Sequence, residues 1–245
     1  MELPLAHLTI ARSFEFILKT GRLKPHPCKI FNANLLYFSY GGLFYRSSSL
    51  QTEQTSELPI GFVFSPKIFK TISRLFPFDS GAMAAKRFGC DWFDRLAPFD
   101  TRFAIDSDEV SKAARALVFH LFESNSRYVA GQPAQSSMNK QTPLPLLYEF
   151  LAADFSHLSV DHRQRTIEAI AKISISLNQH LLWIGLPQIS TSSRLRELYR
   201  WTKPNIPQIF EYSYHQNFNP SRIAEVLEWA AHRDIVERFV NLEAE

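Results

Sequence analysis

The sequence predicts an α+β fold, and three observations carry that expectation. Apolar residues alternate in some stretches and recur at helical spacing in others. The two kinds of stretch follow one another without the regular strand-helix-strand order of a doubly wound sheet. With 45% hydrophobic and 13% aromatic residues, the 245-residue chain can bury a sizeable core, and it is read as a single domain over 1–245.

The elements follow in chain order. Leu5 to Ile10 alternates as a short strand, with His7 and Thr9 on one face. Phe14, Ile17 and Leu18 then fall at helical spacing, and Gly21 supplies the stop. Aromatic and aliphatic residues from Leu35 to Tyr40 predict a strand, broken at Gly41-Gly42 and resumed from Leu43 to Arg46. A loop at about 47–58 precedes a strand from Ile60 to Phe64. A helix from about Ile68 to Phe76 and a turn from Pro77 to Gly81 come next. Ser107-Asp108-Glu109 opens a helix whose buried stripe is Val110, Ala114, Leu117 and Leu121. The Ser-, Gln- and Pro-rich run at about 124–142 is expected to be a mobile loop.

After a helix near Leu146 to Phe155, Thr166-Ile167-Glu168 leads into a β-branched stretch that ends at Asn178. Leu181 to Leu186 is a central strand stopped by Pro187. Asn219-Pro220-Ser221 starts a C-terminal helix over about 220–240, with Ile223, Val226, Leu227, Ala230, Val236 and Val240 along its stripe.

Composition removes several functional classes. Only 8 glycines are present, and neither G-x-G-x-x-G nor G-x-x-x-x-G-K-[ST] occurs, which argues against Rossmann and P-loop nucleotide sites. Cys28 and Cys90 are too few for a disulfide framework or a cysteine zinc site, and Cys28 reads as an inert thiol beside a turn. The 8 histidines lack metal-ligand spacing, so no metal is expected. No G-x-S-x-G elbow and no distinctive carboxylate pair point to a hydrolase. Acidic residues in the first apolar stretch do not fit a signal peptide, and no apolar run is long enough to cross a bilayer. The expectation is a cytoplasmic protein with no membrane partner. A net charge of +3 permits a polyanionic partner without demanding one.

A distributed pattern remains: His7-Leu8-Thr9, then Phe16 to Leu23, the aromatic block Leu36 to Arg46, and Arg165-Thr166-Ile167-Glu168. In order and spacing it resembles the ADP-ribosyltransferase fold, and within it the DarT group of DNA-targeting bacterial toxins and related families. That resemblance implies a split, mixed β core with peripheral helices, NAD as a substrate, and no metal. It also implies a bacterial toxin or antiphage effector that modifies a macromolecule, nucleic acid before protein, with a neutralising antitoxin or regulatory partner as a possible companion. The chain departs from the group where an Arg-Ser-Pro-like turn follows the aromatic strand; here Tyr40-Gly41-Gly42 stands there, and the nearest arginine is Arg46.

The chemistry asks for these residue types. Breaking the nicotinamide-ribose bond develops positive charge on the sugar, which a carboxylate stabilises, and the resemblance gives that place to Glu168. Tyr37 or Tyr45 can offer an aromatic face to the nicotinamide cation. His7 and Thr9 can hydrogen-bond a ribose or the nicotinamide amide, and Arg46 can grip the pyrophosphate. Each has a plainer reading: His7 as a satisfied histidine under a helix, Thr9 as a strand residue or helix cap, the tyrosines as core, Arg46 as solvated. Glu168 can instead sit in the first turn of a helix beside its dipole. The turn containing Asp79 and Ser80 either caps the next segment or enters the site. Two functional alternatives stay open: an inactive nucleic-acid- or protein-binding partner of the same fold, and an NAD hydrolase.

Overall fold

A computed structural model describes residues 2–44, 51–96, 104–106, 109–134, 145–153, 162–188, 192–203 and 205–241. Its strands are β1 (Leu5–Ile10), β2 (Arg22–Leu23), β3 (His26–Cys28), β4 (Ala33–Tyr40), β5 (Pro59–Phe64), β6 (Ile72–Phe76), β7 (Glu168–Ala171), β8 (Ile175–Ser176), β9 (Leu181–Pro187) and β10 (Gln208–Tyr212). The α-helices are α1 (Ala11–Thr20), α2 (Ser80–Ala84), α3 (Cys90–Leu96), α4 (Val110–Phe122), α5 (Asn125–Ala130), α6 (Pro145–Ala152), α7 (Leu177–His180), α8 (Ser192–Thr202), α9 (Pro220–Ala231) and α10 (Glu237–Asn241). The fold is α+β.

One sheet runs in the order β10-β9-β5-β1-β4-β7-β6, with β3 added to β4; β2 and β8 form a separate small pair. β10 and β9 are parallel while the other pairings are antiparallel, so the sheet is mixed. It is also split. β1 pairs with β5 along its whole length, but with β4 only at Leu5↔Tyr40 and Ala6↔Ser39. From His7 onward the two halves part, and β4 continues with β7 from Ser39↔Glu168 to Leu36↔Ala171.

Both faces of the sheet are covered. Phe14, Ile17 and Leu18 of α1 belong to the cluster of Leu5, Phe38, Phe62 and Phe64. Leu227, Ala230 and Ala231 of α9 belong to the opposite cluster with Ala6, Val63 and Trp183. β5 is therefore buried at every position, and each of its Ile, Phe and Val side chains contributes on the order of 1.5 to 3 kcal/mol. Under α9, Trp183 Nε1 donates to the Asp234 carboxylate at 3.0 Å, and Arg233 Nε donates to its other oxygen at 2.7 Å, so this buried acid is paired.

Several expectations are met by local chemistry. Gly21 takes φ +62° and donates its N–H to the Ile17 carbonyl at 2.8 Å, which ends α1. Asn219 accepts from the Ser221 and Arg222 N–H groups ahead of Pro220. Val110, Ala114, Leu117 and Leu121 form the buried stripe of α4 as read, although Ser107 and Asp108 lie outside the described residues.

Other expectations are corrected. The helix over Ile68 to Phe76 is a 3-10 turn, Pro66–Thr71, followed by β6, because Ile72, Leu75 and Phe76 find partners on β7. The loop at 124–142 begins as α5, capped by the Ser124 hydroxyl and closed by Gly131, with 135–144 outside the described residues. Within 47–58, Thr52 pairs with Phe218 in both hydrogen-bond directions and Thr55–Glu57 forms a 3-10 turn, so the second half is anchored. Leu43 and Phe44 do not resume a strand; Tyr45 and Arg46 lie outside the described residues. The stretch from Thr166 to Asn178 divides into β7, β8 and α7, with the turn at exposed Ile173 between the strands. The helix near Leu146 to Phe155 is described only as α6, Pro145–Ala152. The C-terminal helix is α9, then a π-helical turn at His232–Val236, then α10, and Val226 faces solvent rather than the stripe.

Candidate functional site

The split in the sheet opens a cleft of about 470 Å³, within the usual range of small-molecule pockets. His7, Leu8, Thr9 and Ile10 all line it, as do Leu35, Leu36 and Tyr37. Consecutive residues of a closed sheet point to opposite faces, so runs of this kind mean that the strand edges themselves border the cleft. Asp79, Gly81, Ala82, Arg87, His26, Cys28, Ile30 and Glu168 complete most of its wall.

Glu168 opens β7, between Ser39 of β4 and Phe76 of β6, and is 1% exposed. It is a strand residue; the reading as a first-turn helix acid is ruled out by these pairings. The buried Ser80 hydroxyl lies 2.5 Å from Glu168 Oε1. A carboxylate accepts and a hydroxyl donates, so Ser80 holds one oxygen of the acid. Ser80 is fixed in turn by the start of α2, where Asp79 Oδ1 accepts from the Ala82 N–H at 2.7 Å. Asp79 thus both caps the helix and lines the cleft, meeting both readings of that turn.

His7 stands where β1 and β4 diverge. Its Nδ1 is 2.8 Å from the Tyr37 carbonyl, and its ring packs against Phe38 and Phe62 at centroid distances of 5.7 and 6.3 Å. Burial lowers its pKa to about 4, opposed by the Tyr37 bond and aided by His26. The ring is therefore neutral near pH 7. Since a carbonyl can only accept, Nδ1 carries the proton and Nε2 is an acceptor. Thr9 does not cap α1: the cap position is Ile10, with no side-chain bond.

Tyr37 lies across the same cleft. Its hydroxyl donates to Cys28 Sγ at 2.8 Å, which fixes the ring direction through the β3 and β4 pair. Burial foremost, then the Cys28 bond and the charges of Glu168 and Asp79, push the phenol pKa up, so it stays protonated.

Four of the six residues singled out in the sequence, His7, Thr9, Tyr37 and Glu168, are thus brought to one cleft; Tyr45 and Arg46 lie outside the described residues. Arg87, one of the scattered arginines the sequence offers to phosphates, and Cys28, which the sequence reads as an inert thiol, also line the cleft. Arg87 stands alone in sequence with no motif around it, and Cys28 gives no signal until β3 folds back on β4. Two other arginines are engaged elsewhere: Arg74 is bound to both oxygens of Asp106, and Arg165 donates to the Gly131 carbonyl. Among the described residues there is no cluster of three His, Cys, Asp or Glu suited to a metal, and no helix is long and apolar enough to cross a membrane.

The fold and cleft define a split-sheet α+β protein with a carboxylate, a neutral imidazole and a tyrosine facing one small-molecule cavity. No family model and no curated protein matches the chain. Among solved structures it is similar to Thermus sp. 2.9 DarT in complex with NAD+, at 12% identity over 86% of this chain and 96% of that one, with a TM-score of 0.43. It is also similar to the same protein in complex with ADP-ribosylated ssDNA, at 12% identity over 86% and 94% of the two chains, with a TM-score of 0.44.

Proposed function

We propose that the protein is an NAD-dependent ADP-ribosyltransferase, and one observation carries the reading: Glu168 is buried, opens to the cleft, and has one oxygen held by Ser80. A buried carboxylate is costly unless it is hydrogen-bonded, and one held at the wall of a cleft marks a candidate functional site. In the transfer, the bond from ribose C1′ to the nicotinamide nitrogen breaks and the nitrogen keeps the pair. The acceptor forms the new bond to C1′ and gives up its proton. Glu168 stabilises the positive charge that develops on the ribose, and Ser80 acts as a positioning residue by fixing which oxygen faces the cleft.

The other side chains fit an NAD molecule without a glycine loop. His7 Nε2 accepts from a ribose hydroxyl or the nicotinamide amide, and Thr9 adds a second hydroxyl contact. Tyr37 offers its ring to the nicotinamide, held in place through Cys28, at a cation–π gain of roughly 0.5 to 2 kcal/mol. Arg87 lines the cleft and offers a guanidinium to the pyrophosphate, the contact also proposed for Arg46. Tyr45 and Arg46 keep the roles the resemblance gave them only as proposals. A toxin or antiphage role, a nucleic-acid acceptor and a neutralising partner rest on that sequence resemblance.

The test is incubation of the full chain with labelled NAD and either single-stranded oligonucleotides or cell extract, reading free nicotinamide and label on macromolecules. Nicotinamide with labelled macromolecule is expected. Free ADP-ribose as the sole product identifies an NAD hydrolase, and no release at any enzyme level identifies an inactive binding protein; either result overturns the reading.

A further inference from the structure

Residues 16 to 52 hold five of the 27 Lys and Arg and none of the 24 Asp and Glu, which leaves 22 basic against 24 acidic residues elsewhere. Four of those five, Lys19, Arg22, Lys24 and Lys29, lie on the described segment that runs from α1 through β2 and β3. All four are exposed, as is His26, and none forms an ion pair with a described residue. Lys24 lines a cavity beside the cleft, Arg22 adjoins Leu23 of the same wall, and Lys29 stands between Cys28 and Ile30 of the cleft itself. A second cavity of about 390 Å³ shares His7, Thr9, His26 and Leu36 with the first and is lined by Arg12, Phe16 and Lys24, with no carboxylate in its wall. Phe16 is 49% exposed and Ile30 is 44% exposed, one at each cavity. Lys24 Nζ sits 4.8 Å from the Phe16 ring centroid, so an aromatic face and an ammonium lie within the span of one nucleotide.

We propose that this rim, from Phe16 to Ile30, is the landing surface for a single-stranded nucleic acid, with backbone phosphates on Arg22, Lys24 and Lys29 and a base against Phe16. The proposal rests on the reading of the cleft as a transfer site and deepens it by assigning where the acceptor strand lies. Charge and an aromatic platform together are what sequence-tolerant single-strand binding uses. The carboxylates Glu168 and Asp79 are confined to the first lobe, so the phosphates stay on the basic rim while one nucleotide reaches the acid.

The experiment uses the full chain and a fluorescein-labelled single-stranded DNA of about 12 nucleotides, with the RNA of the same sequence in parallel, read by anisotropy from about 50 to 200 mM NaCl. Three phosphate contacts at about −0.7 each predict a slope of log affinity on log salt near −2. The triple variant Arg22→Glu, Lys24→Glu, Lys29→Glu is expected to lose at least about ten-fold in affinity and to flatten the slope. Phe16→Ala is expected to lose at least about five-fold with the slope unchanged. Arg222→Glu, exposed on α9 across the sheet, serves as the control that leaves binding intact. ADP-ribose is titrated against the same variants. Oligonucleotide binding unaffected by the triple variant, no binding by wild type, or loss confined to ADP-ribose overturns the proposal. Wild type that binds the strand as predicted yet releases no nicotinamide overturns the transferase reading and leaves the surface standing.

Discussion

Tyr128→Phe removes one oxygen and keeps the ring. In the structure Tyr128 is fully buried against Tyr40, Phe44 and Phe122, with ring centroids 6.0, 5.9 and 4.9 Å away. Its hydroxyl donates to the Tyr40 carbonyl at 2.8 Å and accepts from the Ile167 N–H at 3.1 Å. The Tyr40 N–H in turn donates to the Ile167 carbonyl at 2.9 Å, so the phenol closes the end of the β4 and β7 ladder beside Glu168. The variant preserves nearly all apolar burial, and its cost lies in the lost bonds. Leaving the buried Ile167 N–H without its acceptor costs about 1 to 3 kcal/mol, and losing the second bond brings the total to about 2 to 4 kcal/mol. For a chain of this length that lowers Tm by roughly 5 to 15 °C. Urea unfolding followed by tryptophan fluorescence, with the slope m unchanged, measures it. A loss under about 0.5 kcal/mol would refute the reasoning, because the hydroxyl would then not be carrying the ladder.

Three other predictions concern the cleft and the core. Ser80→Ala lowers kcat for nicotinamide release roughly ten- to hundred-fold with little change in KM, and Ser80→Thr recovers much of it; equal effects on kcat and KM with no recovery would argue against positioning. His7 takes its proton at about 4 in the fold against 6.5 when unfolded, so the unfolded chain binds more protons between those values and stability rises with pH there. The loss on acidification approaches about 1.4 kcal/mol per pH unit, and His7→Gln should flatten that part of the curve; an identical slope in both proteins contradicts the assignment. Gly185→Ala puts a methyl 2.3 Å from Leu227 Cδ2 and 2.5 Å from the Trp183 ring, which should cost about 1 to 3 kcal/mol by urea unfolding; a neutral result would mean that α9 shifts freely.

Much of the fold is legible because its signals are local. The alternation of Leu5 to Ile10, the stop at Gly21 and the cap at Asn219 each act within a few residues, and they appear where the sequence puts them. β3 is invisible by comparison: it is three residues long, contains Pro27, and exists as a strand only because Ala33 to Leu35 offer it an edge. β6 reads as a helix because Ile68, Ile72, Leu75 and Phe76 are spaced for one, and the pairing with β7 overrides that spacing. α5 is hidden in a polar run, although Ser124, Tyr128 and Gly131 are its cap, its anchor and its stop.

The site divides along the same line. His7, Thr9, Tyr37 and Glu168 were reachable from residue type and order, and the structure brings them to one cleft. The bonds that prepare them were not reachable. Ser80 lies 88 positions from Glu168, and the Tyr37 contact to Cys28 depends on a hairpin that no propensity predicts. The neutral state of His7 likewise follows from burial and from a carbonyl 30 residues away.

The role of Glu168 at the ribose is tested by comparing wild type with Glu168→Gln for NAD-induced rise in melting temperature and for nicotinamide release. Both proteins are expected to be stabilised by NAD, and release falls at least about a hundred-fold in the variant, since the amide keeps the shape of the carboxylate and loses the charge that the ribose cation needs. Nicotinamide release by Glu168→Gln at the wild-type rate would contradict that role.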